Sequence, residues 1–353
     1  MLTAVCDDKW WEGVGEQNVR ASAEEVEGAA TRVLVSHHVP VDDAALTARH
    51  LVDGSLRGHF AHGVERLPQM IAMLRRGTLN PAPKRTIVRK SSAVAILNGD
   101  NGLGPPAAAE AVAQARSMAA SCGVGVVGLC ASGHQGTLGP LAEGCAGDDS
   151  FGLVVSASEP GVITMAGTKA IFGTNPIAYA WPSAQGPVVA DFSTAAMTRS
   201  ELLRRAEAGE PLPSGTAVDT DGLPTRDARA ALDGGLLPLR DDHKGALLSL
   251  LAAMLAGPVV DGPAPHQVVG TRKADAFPNK ADFFLTINLR ATTALSDFYV
   301  RGETLRQVLD SPGAGDFTLP GTGAKARIAK ARQEGLYLSS GTARLLWAEG
   351  ERP

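Results

Sequence analysis

The chain has 353 residues, of which 44% are hydrophobic and 20% are charged, and its formal net charge is -4. This composition supports a sizeable buried core and excludes an intrinsically disordered chain. The acidic balance and an aromatic content of only 5% argue against nucleic acid as a partner, because they provide neither a basic surface nor a stacking platform.

The N-terminal residues and the cysteines bear on the cellular compartment. Charged residues interrupt the first twenty positions, so no signal peptide is expected, and we interpret 1–18 as an N-terminal extension. The cysteines form no CxxC pair, which predicts reduced thiols and a cytoplasmic protein. They are Cys6, Cys122, Cys130 and Cys145.

The region that follows, 19–85, is predicted to be mostly helical. Ser22 and Glu25 have the spacing of a capping box, which marks the start of a helix. A second helix is expected to begin after Pro40 and to run to Leu56. A third is expected from about Val64 to Arg75.

From Thr86 onward the pattern alternates between strands and helices, which predicts an α/β layered domain over 86–290. The last segment, 291–353, is predicted to be helical. The expected strands are 86–89, 93–97, 124–130, 151–156, 188–192 and 283–289, and the expected helices within the domain are 106–120, 138–145, 198–208 and 244–255.

No membrane partner is predicted. A membrane-spanning helix needs about 18 to 20 consecutive apolar residues, and we expect no run of that length. The most apolar stretch, from Ala246 to Ala256, is interpreted as a core helix.

The stretch from Leu56 to Arg66, which reads LRGHFAHGVER, is the strongest candidate for chemistry. His62 and Arg66 are four residues apart and would share one face of a helix. Arg66 could then bind a carboxylate through two hydrogen bonds, while His62 handles a proton at the neighbouring carbon. The alternative is a polar helix end whose side chains lie in water.

Two motifs in the chain are interpreted structurally. Gly123 to Gly128 matches the GxGxxG dinucleotide fingerprint, but the predicted helix precedes the glycines instead of following them. A strand whose glycines allow close packing is therefore the better interpretation. His59 and His62 form an HxxH pair, but no third ligand has suitable spacing, so no metal site is predicted.

Four further motifs each allow a functional and a structural interpretation. The GHQG turn, 133–136, lies between a strand and a helix, where open α/β sheets bind ligands, or it is an ordinary turn with an exposed histidine. FGTNP, 172–176, presents a hydroxyl and an amide, or is simply a backbone turn. DFST, 191–194, ends a strand at a crevice or caps the next helix. DHKG, 242–245, opens an apolar helix, with Lys244 near a phosphate or in solvent.

Taken together and in this order, the motifs resemble one family, the type-2 malate/L-lactate dehydrogenases. Its relatives include sulfolactate and ureidoglycolate dehydrogenases and the Δ1-piperideine-2-carboxylate reductases. The resemblance runs from about Val19 to the last helix. The motifs that carry it are LRGHFAHGVERLP (56–68), LNGDNGLG (97–104), GHQG (133–136), FGTNPIAYAWP (172–182), VVADFST (188–194), DHKG (242–245) and LPG (319–321).

The resemblance implies a non-Rossmann α/β fold in which helices flank a mixed sheet and a helical N-terminal region carries the proton donor and the carboxylate anchor. It assigns cofactor binding to 86–290 and implies that 291–353 returns to the N-terminal region. It also implies NADPH or NADH as cofactor, a small carboxylate substrate that is a 2-oxo or cyclic 2-imino acid, and a homodimer.

The resemblance also implies roles for individual residues. His62 corresponds to the catalytic proton donor, and Arg66 and Thr174 correspond to substrate contacts. The implied cofactor contacts are His134, Gln135, Gly136, Thr137, Leu138, Phe192, Ser193, Thr194, His243, Lys244, Leu319, Pro320 and Gly321.

The chain departs from the family pattern at several site positions. Ala61 stands where a serine usually precedes the catalytic histidine, and Gln135 stands where the GHQG turn usually has phenylalanine. Ser156 and Ala157 replace a Thr-Asn pair, with Glu159 close behind, and Glu201 replaces a lysine. We therefore expect a reductase with an altered substrate, such as a ketimine of specialised metabolism. The alternatives are a relative that binds cofactor or an acid without redox turnover, and a metal hydrolase built on the HxxH pair.

Overall fold

The computed structural model describes residues 19–347 except 165–166, 241, 272–273, 314 and 316–317. The predicted N-terminal extension, 1–18, and Cys6 therefore lie outside the described residues. The helices are α1 Ala23–Ser36, α2 Val41–Leu56, α3 Leu67–Arg76, α4 Gly104–Cys122, α5 Gly139–Ala146, α6 Arg199–Ala208, α7 Ala228–Asp233, α8 His243–Leu255, α9 Leu295–Leu309, α10 Thr322–Glu334 and α11 Ser340–Leu346. The strands are β1 Val19–Ala21, β2 Thr86–Arg89, β3 Val94–Gly102, β4 Val124–Ser132, β5 Ser150–Ser156, β6 Val162–Ile163, β7 Ala170–Phe172, β8 Ile177–Trp181, β9 Val188–Phe192, β10 Ala217–Val218, β11 Gly235–Leu236, β12 Ala281–Asn288 and β13 Leu336–Leu338.

The central sheet has seven strands in the order β2-β3-β4-β12-β5-β8-β9. It is mixed, because β3 and β4 are parallel while the other neighbouring pairs are antiparallel. The predicted α/β class with a mixed sheet is confirmed. β12 lies between β4 and β5, although it follows them by more than a hundred residues, and this insertion brings distant segments together at the site described below.

Local signals located the first helices correctly. Ser22 and Glu25 form the predicted capping box, in which the Ser22 backbone N–H donates to the Glu25 carboxylate at 2.8 Å. α2 begins directly after Pro40 and ends at Leu56, as predicted. The third helix begins later than predicted, at Leu67, because a 3-10 turn over Val64–Arg66 precedes it.

The glycine fingerprint lies in a strand, as expected. Gly125 and Gly128 belong to β4, and α4 precedes it. A Cβ on Gly125 would lie 2.0 Å from the carbonyl oxygen of Ala115 in α4, so the glycine permits close contact between helix and strand. The structural interpretation of this motif is confirmed.

A second, four-stranded sheet was not predicted. It has the order β10-β11-β6-β7, so two strands that precede α6 in the chain pair with two strands that follow it. β8, in the central sheet, was also missed. Several of these strands have only two or three residues, and segments this short carry too little periodicity to be recognised.

Helix α8 differs from its predicted role as a core helix. Its buried side consists of the small residues Gly245, Ser249, Ala252 and Ala253. Leu247 and Leu251, in contrast, are 59% and 53% exposed. Within the described chain, His243–Val260 is the one helical stretch long and apolar enough to cross a membrane by length and composition, and 39% of it is buried. The expectation that no apolar run reaches this length is therefore wrong.

The C-terminal elements pack on the N-terminal helices. β13 pairs antiparallel with β1, and α11 contacts α1 and α3. The buried Glu65 carboxylate accepts hydrogen bonds from the Ser339 backbone N–H at 2.8 Å and from the Thr342 hydroxyl at 2.6 Å. These contacts fix the loop that precedes α3, which carries the two residues of greatest interest.

Candidate active site

The loop between α2 and α3 is not helical, so the predicted stacking of His62 and Arg66 on one helix face is wrong. Gly58 has a φ of +83°, and two 3-10 turns follow, the first ending at His62 and the second at Arg66. Gly63 separates them, and a Cβ there would lie 2.2 Å from the Ser55 hydroxyl oxygen. The two side chains nevertheless lie near each other. Their proximity is evident from the charge of Arg66, which is one of the causes that lower the pKa of His62.

Arg66 is a buried cation. It is only 8% exposed, and its Nη2 donates a hydrogen bond to the carbonyl oxygen of Thr271. Burial lowers its pKa to about 10, and the nearby Glu159 carboxylate opposes that shift. Arg66 therefore stays charged at neutral pH, and the interpretation of a solvated helix end does not hold for this residue.

Two imidazoles face each other beside this cation. The ring centroids of His62 and His134 are 5.2 Å apart. Burial, followed by the charges of Arg66 and His59, lowers the pKa of His62 to about 3. The pKa of His134 is also lowered well below its usual value, first by burial and then by Arg66. Both rings are therefore neutral at pH 7.

The tautomer of His134 follows from one hydrogen bond. The backbone N–H of Gly136 donates to its Nδ1 at 2.8 Å, so Nδ1 must be the unprotonated nitrogen. The neutral ring consequently carries its hydrogen on Nε2 and can donate from that atom. His134 was predicted as a cofactor contact, and the structure brings it against the predicted proton donor, His62.

The GHQG turn is anchored on several sides. His50, from α2, has its Nε2 3.1 Å from the Thr137 carbonyl oxygen. The backbone N–H groups of Leu138 and Gly139 donate to Asp191 at the end of β9, at 3.1 and 2.8 Å. Gln135, Thr137 and Leu138 are buried, and the Thr137 hydroxyl has no hydrogen-bond partner among the described residues.

The predicted substrate contact and two predicted cofactor contacts lie together. The Thr174 carbonyl oxygen accepts from the Ser193 hydroxyl at 3.0 Å and from the Thr194 backbone N–H at 3.0 Å. The Thr174 hydroxyl lies 3.3 Å from that of Ser158. Thr194 is fully buried, whereas Thr174 and Ser193 are partly exposed.

A cavity of about 280 Å³ adjoins the end of β9. Its lining includes the predicted cofactor contacts Phe192, Pro320 and Gly321. It also includes His59 and Arg327, neither of which was predicted to bind cofactor. His59 thus lines this cavity, whereas His62 lies against His134 with the two rings tilted by 43°. No group of three potential metal ligands occurs among the residues that the structure describes.

The remaining predicted contacts lie elsewhere. His243 and Lys244 are exposed in the first turn of α8. Leu319 lines a larger cavity of about 440 Å³ with a mostly apolar wall, formed by α9 and aromatic residues such as Trp181. That cavity contains none of the predicted catalytic or substrate residues.

Sequence reasoning missed a buried ion pair close to the imidazoles. Lys280 and Asp282 are 1% and 0% exposed, and their charged atoms are 2.6 Å apart. The available signal was two opposite charges spaced by one residue at the start of an otherwise apolar strand. Glu201, noted as a departure, instead forms surface ion pairs with Arg204 and Arg205.

The fold and these contacts define an α/β enzyme with a buried site of one arginine and two neutral imidazoles. The model of the malate/L-lactate dehydrogenase family matches residues 21–346, and the chain belongs to that family. The predicted family is thereby confirmed, and the protein is an NAD(P)-dependent oxidoreductase.

Individual relatives show how far the likeness extends. L-sulfolactate dehydrogenase of Methanothermobacter thermautotrophicus is 33% identical over 320 residues, covering 91% of this chain and 93% of that protein. Delta(1)-pyrroline-2-carboxylate reductase 2 of Burkholderia multivorans is 31% identical over 240 residues, covering 68% and 70%. The solved sulfolactate dehydrogenase from Methanocaldococcus jannaschii superposes with a TM-score of 0.87 and 31% identity, covering 93% and 95%.

Proposed function

We propose that the enzyme transfers a hydride to C2 of a small 2-oxo acid or cyclic 2-imino acid. The observation that carries this proposal is the buried guanidinium of Arg66 beside two neutral imidazoles. Arg66 binds the substrate carboxylate, His62 handles the proton at the reacting centre, and Thr174 contacts the substrate. Holding the acid in one orientation converts a bimolecular encounter into a positioned one.

The protonation state of His62 bears on the substrate class. Reduction of a 2-oxo acid needs a proton at the carbonyl oxygen, and a ring with a pKa of about 3 is rarely protonated at pH 7. A cyclic imine can arrive with its nitrogen already protonated, so it needs no acid from the protein. In the reverse direction, neutral His62 accepts a proton from a 2-hydroxy acid. The neutral state of His62 therefore favours a cyclic imino acid over a 2-oxo acid as the substrate that is reduced.

We propose that NADPH or NADH is the cofactor. When bound, it would supply the hydride, and the protein would supply binding and orientation. The residues present fit such a group. Phe192 and Pro320 offer apolar surface in the 280 Å³ cavity, and the Arg327 Nε donates to the Arg57 carbonyl oxygen at 2.6 Å. The Nη atoms of Arg327 form no ion pair within the described residues, so this guanidinium can bind a phosphate. The proposed cofactor contacts are His134, Gln135, Gly136, Thr137, Leu138, Phe192, Ser193, Thr194, His243, Lys244, Leu319, Pro320 and Gly321.

The test is a reduction assay with a panel of 2-oxo acids and cyclic 2-imino acids, run with each cofactor. We expect nicotinamide absorbance to fall with at least one acid, and His62→Gln to slow the reduction of a 2-oxo acid more than that of a cyclic 2-imino acid. No turnover across the panel would contradict the proposal. Cofactor binding without turnover, measured by nicotinamide fluorescence, would favour the non-redox alternative that Ala61 motivates. Stoichiometric bound zinc would favour the hydrolase.

We propose a homodimer in which the exposed face of α8 packs against a second copy. Leu247 and Leu251 lie four residues apart on this face, with Leu250 and Met254 beside them, and all four are exposed. Contiguous apolar surface of this kind marks interaction sites. Leu247→Glu combined with Leu251→Glu should give a monomer in light scattering, whereas Val41→Glu, at an exposed site on α2, should not. An unchanged mass in both variants would contradict this interface.

We propose a cytoplasmic location. Cys122, Cys130 and Cys145 carry free thiols, which supports a reducing compartment. Recovery of the untagged protein in the membrane pellet of lysed cells would contradict the proposal and would make α8 a membrane-binding helix instead.

A further inference from the structure

The Lys280–Asp282 pair lies within the central sheet. Asp282 belongs to β12 and pairs with Leu129 of β4 on one side and with Ser156 of β5 on the other. Lys280, two residues earlier, projects its Nζ to within 2.6 Å of Asp282 Oδ1 and 3.5 Å of the Ser156 hydroxyl. Both side chains are almost fully excluded from solvent.

Stability alone does not account for this pair. Moving two charges out of water carries a large desolvation penalty, and apolar residues of similar volume are often equally stable or more stable in such positions. Burial also lowers the pKa of Lys280, which measures the same penalty. Because such a pair contributes little net stability to the sheet, its contacts point to another role.

The pair bonds to the turn that carries His134. Gln135 Nε2 donates to Asp282 Oδ2 at 2.7 Å and to the Ser132 hydroxyl at 2.9 Å. Gln135 directly follows His134 in the chain, and the next residue, Gly136, provides the N–H that fixes the His134 tautomer. Gln135 and Ser156 both contact the pair, from the GHQG turn and from β5 respectively.

We propose that Asp282 is a positioning residue for His134. Its carboxylate holds Gln135, so that the GHQG turn keeps the His134 ring against His62 with Nδ1 bonded and Nε2–H available as a donor. Lys280 is the buried counter-ion of Asp282. The importance of this arrangement for turnover rests on the proposed function, whereas the positioning itself does not.

Burial and the surrounding groups keep the His134 ring neutral. Its neutral form is favoured by burial and by Arg66, His62, Lys280 and His50, which together lower its pKa. A neutral ring with a fixed tautomer is a permanent hydrogen-bond donor, suited to polarise the atom that receives or releases the proton.

Two double variants separate positioning from stability. Lys280→Met with Asp282→Asn removes both charges but leaves a side-chain oxygen that can accept from Gln135. Lys280→Met with Asp282→Leu removes both charges and the acceptor, at similar volume. We expect similar melting temperatures, and a kcat at least tenfold higher in the variant with Asn than in the variant with Leu. Equal kcat values in the two variants would overturn the proposal.

A second measurement needs no turnover. Two-bond ¹H–¹⁵N spectra of ¹⁵N-histidine protein report imidazole tautomers, and His134→Gln identifies the signal. We expect the wild type and the Asn variant to have Nδ1 of His134 unprotonated, and the Leu variant to have a mixture. The same tautomer in all three proteins would also overturn the proposal. If the wild type reduces no acid, the proposed function fails, yet this spectrum still decides the role of Asp282.

Discussion

The anchoring role of Arg66 gives the most direct test of the site. Arg66→Ala removes a guanidinium that is 8% exposed and whose pKa burial lowers to about 10. A cation this deeply buried gains strongly from an anionic partner, and losing one member of such a pair costs about 2 kcal/mol or more. That corresponds to a rise in KM of roughly 30-fold.

The assay is steady-state reduction of the best acid from the panel, with KM and kcat measured separately. Arg66→Lys keeps the charge but loses the two-pronged geometry, so its KM should fall between those of the wild type and the Ala variant. Arg75→Ala is the matched control, because Arg75 is exposed on α3 and its Nε donates to the His37 ring, outside the candidate site. Its KM should equal that of the wild type.

A carboxamide analogue of the substrate tests the reason for the effect. If Arg66 pairs with the carboxylate, the analogue should bind weakly to the wild type and lose little further affinity in Arg66→Ala. An unchanged KM for the acid in a folded Arg66→Ala protein would remove Arg66 from the substrate site and would refute the proposed orientation.

Three further predictions concern acid sensitivity, cofactor choice and the fold. Burial lowers the pKa of His62 from 6.5 to about 3, so between these values the unfolded chain binds a proton that the folded one does not, and stability falls as pH drops through that window. Urea unfolding at pH 7 and at pH 4.5 should therefore show a smaller loss for His62→Gln than for the wild type. Arg327→Ala should raise the cofactor Kd by about tenfold. The effect should be limited to NADPH if Arg327 contacts the 2′-phosphate, and should be seen with both cofactors if it contacts the pyrophosphate. An unchanged Kd for both cofactors would exclude Arg327 from the cofactor site. Glu65→Ala leaves the Ser339 and Thr342 donors without their buried carboxylate, so it should lower the free energy of unfolding by about 3 kcal/mol, whereas a loss below 1 kcal/mol would contradict the importance of this contact.

The first two helices and the family were predictable from the sequence because their signals are local. A capping box involves residues three apart, and a proline marks the start of the next helix, so Ser22 and Pro40 located α1 and α2 without tertiary information. The seven motifs between 56 and 321 likewise identified the family, since residue types and their order do not depend on how the chain folds.

The geometry of the site depended on tertiary structure. His62 and Arg66 meet through two 3-10 turns separated by Gly63, and the sequence spacing predicted a helix instead. The exposed leucines of α8 have the composition of a core helix, and only the packing of its small residues reveals which face is buried.

The contact between Gln135 and Asp282 illustrates the same limit most clearly. The two residues are 147 positions apart, and they meet because β12 inserts between β4 and β5. Strand order in a mixed sheet is decided by the burial of whole faces and not by neighbouring residues. The sequence by itself therefore determined which chemical groups are present. The tertiary structure decided which of them are buried together, and burial in turn sets their charge and fixes their orientation.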